Sequence, residues 1–406
     1  MLLKVSKLLL LQIPIVLLGF FSTAIISQNY GVSGYGQIAY VIAISTMFIS
    51  LIRYGFDETL IILLKKSDNP KLIFISSMIL RISLYLLSII SLFILYVLGL
   101  FDLLQFIAII SFLLISLQAT AIYDFLELQE NHLQTLIINK IIFCFLILIL
   151  SSINIDVLAV FIIASFISNI VLLALNLIFY FNKKPFREHT YNSRNNLLSS
   201  SQTLLYKNFP VLIASLLSLG LYSVNQIFLK ESIGFELLGV FAIQFQVFNM
   251  LVVIMKQITR AYKPSLAGFK NTSENKFIKM YSAYFLSVAS IPFFCSLGIW
   301  LVYSELFGLV FGPEMIGYNE IFLGLCFFLL LRGIHLALIQ LSFFNNKNSL
   351  VLISNFTSFT TIIFGFWYLD FYQSLEHVIL LMCIAIFASI LVLAFSFKLQ
   401  QSETST

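Results

Sequence analysis

Apolar runs of about 20 residues follow one another along this whole chain, and that repetition limits what it can fold into. In a helix rising 1.5 Å per residue, such a run spans the ~30 Å hydrocarbon core of a bilayer. Strands of a membrane barrel would alternate apolar and polar residues. These runs are continuous, so the spacing predicts helices. Composition points the same way: 60% of the residues are hydrophobic and 10% charged, against about 25% charged in a soluble domain. Spans are predicted at about 8–27, 37–63, 72–99, 103–126, 135–154, 157–181, 205–229, 237–262, 280–303, 319–343, 349–369 and 375–397. The expected fold is an all-α polytopic membrane protein of twelve spans.

Basic residues orient it. Of the 23 Lys and Arg, 19 fall on one side: Lys4, Lys7, Lys65, Lys66, Lys71, Lys140, Lys183, Lys184, Arg187, Arg194, Lys207, Lys256, Arg260, Lys263, Lys270, Lys276, Lys279, Lys347 and Lys398. The other side holds only Lys230 among them, but carries Asp102, Asp156, Glu231, Glu236, Glu305, Glu314, Glu320, Asp370 and Glu376. Positive charge stays cytoplasmic, so both termini are expected inside, as an even number of spans requires. Lys4 and Lys7 ahead of an apolar run mimic a signal peptide, but the run is long and lacks an Ala-x-Ala site, so it is expected to stay as the first span. The basic residues are spread over short loops rather than on one cationic face, so the net charge of +5 does not point to nucleic acid. Cys144, Cys295, Cys326 and Cys383 sit inside apolar runs without a CxxC pair and are expected to pack, with no metal or cofactor.

The longest cytoplasmic break, 182–204, separates a six-helix lobe at 1–181 from another at 205–398, with a polar tail at 399–406. The two halves echo each other at an offset of about 203 residues. Gly36-Gln-Ile-Ala39 falls on Gly239-Val-Phe-Ala242, Met47 on Met250, Arg53 on Lys256, and the turn Lys65 to Pro70 on Gly268 to Ser273. Both halves start in the cytoplasm, so the repeat is parallel. Duplicated halves of this kind build transporters that rock around a central site.

Tyr30-Gly-Val-Ser-Gly-Tyr-Gly-Gln-Ile-Ala-Tyr40, followed by Leu51-Ile-Arg-Tyr-Gly-Phe-Asp57, resembles the N-terminal signature of polysaccharide-exporting flippases. Asn225-Gln-Ile-Phe-Leu and Leu238-Gly-Val-Phe-Ala242 resemble the same family around spans 7 and 8, where an acid often stands at the place of Asn225 and a Tyr at that of Phe241. Tyr123-Asp-Phe125 and Gln129-Glu130 are similar to its stretch after span 4. The resemblance covers nearly the whole chain. It implies a Wzx-type flippase of the multidrug/oligosaccharidyl-lipid/polysaccharide exporter superfamily. Such a protein moves undecaprenyl-pyrophosphate-linked O-antigen or capsule repeat units across the inner membrane. Its partners would be that lipid-linked oligosaccharide, membrane lipids and other membrane proteins of the pathway.

Ionisable groups at membrane depth cost about 3 kcal/mol each and face a cavity or a partner. The candidate substrate-binding set is cationic: Arg53, Arg81 and Arg332 in mid-membrane, with Lys256 at the rim. Arg binds phosphate oxygens through a bidentate fork. Asp57, Glu58, Asp124 and His335 are the candidate coupling or ion-pair partners. Each has a structural reading beside the functional one. Arg53 is placed to pair with Asp57 four residues on, and Arg81 to answer Glu58. Lys256 is placed to snorkel, Asp124 to sit at the interface, and His335 to pack. Arg332 has no acid within two turns of its own helix, so it either lines a cavity or meets a partner on another helix.

Enzyme chemistry is not indicated. HExxH, GxSxG, P-loop and dinucleotide fingerprints are missing, and His132, His189, His335 and His377 have no Asp five residues on. With no ATP-binding module, the driving energy would come from gradients or product removal. Two alternatives remain. One is a cation-coupled multidrug exporter of the same superfamily, disfavoured because span 1 holds no acid. The other is an O-antigen polymerase, disfavoured by the short external loops.

Overall fold

The structure, a computed structural model, describes residues 2–56, 59–60, 63–64, 69–118, 120–126, 128–153, 155–183, 195–268, 274–344, 348–368 and 371–403. Among them there are helices, turns and bends and no strand. Thirteen α-helices are named here in chain order: α1 Leu2–Arg53, α2 Pro70–Val97, α3 Leu103–Leu113, α4 Thr120–Phe125, α5 Gln129–Ser151, α6 Val157–Lys183, α7 Asn195–Ser218, α8 Ser223–Gly268, α9 Glu274–Leu301, α10 Tyr303–Phe311, α11 Asn319–Phe344, α12 Asn348–Tyr368 and α13 Leu375–Glu403.

Among the described residues, ten helical stretches are long and apolar enough to cross a membrane. Two of them, Leu10–Arg53 with 44 residues and Asn208–Lys256 with 49, have twice the length that one crossing needs. Together the ten supply length for twelve crossings. The double-length helices are interrupted at single glycines: Gly31 (φ 71°, ψ 173°) and Gly234 (φ 85°, ψ −177°). Only glycine adopts such a conformation at little cost. Open space surrounds both positions, so backbone geometry rather than crowding selects the residue.

These glycines stand 203 residues apart, the same offset that relates the two halves in sequence. Five residues on, the halves touch. A Cβ on Gly36 would lie 1.9 Å from the Phe235 carbonyl oxygen, and one on Gly239 would lie 2.0 Å from that of Val32. Val32 and Phe235 are themselves repeat mates. The contact is thus reciprocal and made backbone to backbone, as small residues allow where membrane helices approach closely.

By contacts, the chain forms two compact units. One holds Leu10–Asn29 and Tyr40–Leu216, and in it α6 packs against α3 and α5. The other holds Met1–Leu9, Tyr30–Ala39 and Leu217–Thr406, and in it α11 packs against α9 and α13 while α13 also packs against α12. The tip around Gly31 and Gly36 therefore belongs to the same unit as Gly234 and Gly239. The linker predicted at 182–204 lies largely outside the described residues.

Three predicted spans are broken in mid-course. Span 2 leaves its helix at Tyr54 (φ 48°) and Gly55 (φ 70°). Span 4 passes from α3 through a 3-10 turn, Leu114–Leu117, to an extended Gln118 before α4 begins. Span 7 passes from α7 through Leu219–Leu221 and the non-helical Tyr222 into α8. Hydrocarbon leaves unpaired backbone groups no partner, so each break needs a polar group supplied by the protein.

Candidate functional site

The break in span 7 lies beside the deep charge on α11. Gly333 packs so tightly on α9 that a Cβ would come 2.7 Å from Ala289 Cα, which fixes how α11 is rotated. Its neighbour Arg332 then carries its guanidinium 5.7 Å from the centre of the Tyr222 ring, within cation–π range. Arg332 Nη1 lies 2.9 Å from His335 Nδ1. A guanidinium can only donate, so Nδ1 accepts and the His335 proton sits on Nε2. That nitrogen is 2.9 Å from Ser354 Oγ and 3.0 Å from Ser389 Oγ. The two hydroxyls also contact each other, and Ser389 Oγ donates to the Ser354 carbonyl at 2.7 Å.

His335, Ser354 and Ser389 are fully buried, whereas Arg332 is half-buried. Among the described residues no carboxylate lies within 4.0 Å of it. One nitrogen is thus anchored by a neutral imidazole, itself clamped by α12 and α13. The guanidinium has further donors, and such a fork can bind an anion.

Asn225, three residues beyond Tyr222, lies where the resembled family often carries an acid. Its amide nitrogen donates to the Leu221 carbonyl at 3.1 Å, and its carbonyl oxygen accepts from Tyr372. Both side chains are buried, and burial pushes the Tyr372 phenol up, keeping it a protonated donor. Asn225 is committed to holding the start of α8.

The other candidate charges fall elsewhere. Lys256, in the same unit as Arg332, is exposed on α8. Arg53 and Arg81 belong to the first unit. Arg53 closes the last helical turn before Tyr54, where a cation meets the negative end of the helix dipole. Arg81 is fully buried, donates to the Gln118 carbonyl at 2.7 Å and lies 5.7 Å from the centre of the Phe56 ring. Asp124 is half-buried near the end of α4. Asp57 and Glu58, and with them the pairings expected for Arg53 and Arg81, lie outside the described residues. The structure thus brings together Arg332 and His335 and adds three residues that sequence reasoning did not reach: Tyr222, Ser354 and Ser389.

No protein-family model and no curated protein sequence matches this chain. Solved structures do. The inward-facing conformation of a multidrug resistance MATE family transporter of the MOP superfamily superposes with a TM-score of 0.72 at 13% identity, covering 96% of each chain. Lipid II flippase MurJ in an inward closed conformation gives 0.61 at 16% identity over 96% of this chain and 87% of the other. The MATE multidrug transporter DinF-BH gives 0.61 at 17% identity, over 97% and 95%. At these identities the likeness is one of fold, and it covers 96–97% of this chain.

Proposed function

We propose that this protein is a flippase for a lipid-linked oligosaccharide. The cargo is an O-antigen or capsule repeat unit on undecaprenyl pyrophosphate, carried from the cytoplasmic to the outer leaflet of the inner membrane by alternating movement of the lobes 1–181 and 205–398. One observation carries this reading: Arg332, in mid-helix, half-buried, anchored on one nitrogen by His335 and with no carboxylate within 4.0 Å among the described residues. A diphosphate is an anion that a bidentate fork matches, and the barrier to moving it lies in hydrocarbon, where an unpaired charge costs most. A fixed guanidinium in a polar setting lowers that barrier while the prenyl tail stays in lipid. The fold shared with a lipid II flippase supports the same reading.

Arg332→Ala should abolish surface polysaccharide at normal protein abundance. Arg332→Lys should restore only part of it, since an ammonium keeps the charge and loses the fork. Full export by a stably expressed Arg332→Ala protein would overturn the assignment.

A second reading, a multidrug exporter, is favoured by the TM-score of 0.72 against a MATE transporter. Against it stand a first span without an acid and an Asn225 already bonded to Tyr372. Drug resistance conferred by the wild-type protein in a host whose surface polysaccharide does not depend on it would move the assignment there.

A further inference from the structure

The unit that holds Arg332 has a cavity of about 420 Å³ where α12 ends, within the range of small-ligand sites. It is lined by Ser232 of α8, Phe366 and Trp367 of α12, and Tyr372 and Gln373 of the 3-10 turn Phe371–Gln373. The ion pair Lys230–Glu231, 2.8 Å long, immediately precedes Ser232 in the chain. The distribution of basic residues predicts the outer face of the membrane for this end.

One wall of the cavity is held in place. Phe228 stacks on Phe366 with 3.8 Å between ring centres, and Tyr372 stands edge-on to both at 5.6 and 5.2 Å. The Tyr372 hydroxyl is taken up by Asn225. A wall fixed beforehand needs little ordering when a ligand arrives. Trp367 meets Phe366 edge to face at 5.5 Å and keeps 68% of its surface open. Its neighbour Tyr368 is also exposed and fits the aromatic belt of a membrane interface. Trp367 differs in lining a cavity that also carries polar side chains.

Those side chains indicate what the cavity takes. Ser232 and Gln373 are exposed, and among the described residues neither side chain bonds to the protein. A hydroxyl and an amide together offer donors and acceptors. Among the described residues, none that lines the cavity carries a charge. A phosphate therefore finds no counter-charge there, and a hydrocarbon chain leaves the amide and hydroxyl unmatched. A pyranose ring matches both halves of the lining. Its electropositive C–H face seats on the negative face of an aromatic ring, while its hydroxyls donate and accept at the edge.

We propose that this cavity binds a sugar ring of the cargo at the outer face, with Trp367 as the stacking platform and Ser232 and Gln373 at the sugar hydroxyls. The proposal rests on the flippase reading and adds to it a place where the glycan is held.

Oligosaccharides released by mild acid from the polyprenyl-pyrophosphate lipids of the native cell, labelled at the reducing end, test it by fluorescence anisotropy with the full-length protein in detergent. Trp367→Ala should weaken binding at least about tenfold, Gln373→Ala several-fold, and Trp367→Phe, which keeps a ring, less than Trp367→Ala. Both positions are exposed, so melting should stay at the wild-type value. The chain has two tryptophans, Trp300 and Trp367, so in a Trp300→Phe background the unlabelled oligosaccharide should shift the emission of Trp367. Unchanged binding in both Trp367→Ala and Gln373→Ala would overturn the proposal. So would an emission shift with tetraphenylphosphonium and none with oligosaccharide, which would mark the cavity as a site for aromatic cations. No oligosaccharide binding, alongside export abolished by Arg332→Ala, would sink the platform and leave the flippase reading standing. Trp367-dependent binding alongside normal export by Arg332→Ala would do the reverse.

Discussion

Gly239→Ala puts a methyl group where the structure has no space for one. Its Cβ would stand 2.0 Å from the Val32 oxygen and 2.8 Å from Val32 C and Cγ1. Reaching an ordinary separation of 3.4 Å from 2.0 Å means moving the two backbones about 1.4 Å apart. No side chain can rotate away, because the obstacle is a carbonyl. Overpacking of this kind costs about 1–3 kcal/mol, while alanine in place of glycine returns up to about 1 kcal/mol of helix propensity. The net expectation is a loss of about 1–2 kcal/mol. Gly36→Ala should match it, since its Cβ meets the Phe235 oxygen at 1.9 Å. The two clashes wedge the same contact, so the double variant should cost little more than either single one, a coupling of about 1 kcal/mol or more. Thermal unfolding of the purified protein, run on the four members of the cycle, reads this directly. Single variants within about 0.5 kcal/mol of wild type, or strictly additive losses, would refute the close reciprocal contact.

Other outcomes follow from the charges and polar pairs. A periplasm-active phosphatase fused after Ser201 or after Thr406 should be inactive, because the distribution of basic residues predicts a cytoplasmic location for both positions; activity at either would break the topology. Arg81→Met removes the donor to the Gln118 carbonyl. It should lower abundance in the membrane by a destabilisation of about 1.5–3 kcal/mol, and normal abundance and melting would contradict the bracing role. Tyr372→Phe leaves the Asn225 oxygen without this donor and should cost about 1–3 kcal/mol. Adding Asn225→Leu should recover most of that loss in a melting experiment, and failure to recover it would argue against the pairing.

Spans were legible because a bilayer imposes length and apolarity on each of them separately, and the sequence records both. The repeat was legible at Gly36 and Gly239 because a backbone contact tolerates a single residue type. The breaks were not. Residues 103–126 contain neither Gly nor Pro, and the interruption at Gln118 is held by Arg81, 37 residues away. A local reading continues the helix and leaves the arginine looking available for substrate. Arg332 and His335 were found as charges at the wrong depth for mere solubility. Ser354 and Ser389 lie on two further helices, and small hydroxyls are common in membrane spans, so only the three-dimensional contact singles them out. Asn225 stood out as a departure from an acidic position, but its partner Tyr372 lies 147 residues on.

The paired glycines also give the internal repeat a symmetry. In the contact between 32–36 and 235–239, residue 36 meets the mate of residue 32, and the mate of residue 36 meets residue 32. That is the form of an isologous interface, in which one patch meets its own copy across a dyad. Here both copies lie on one chain. Two copies of one half-length unit joined head to tail would make a contact of this form. Any side chain added to either copy would force the two apart.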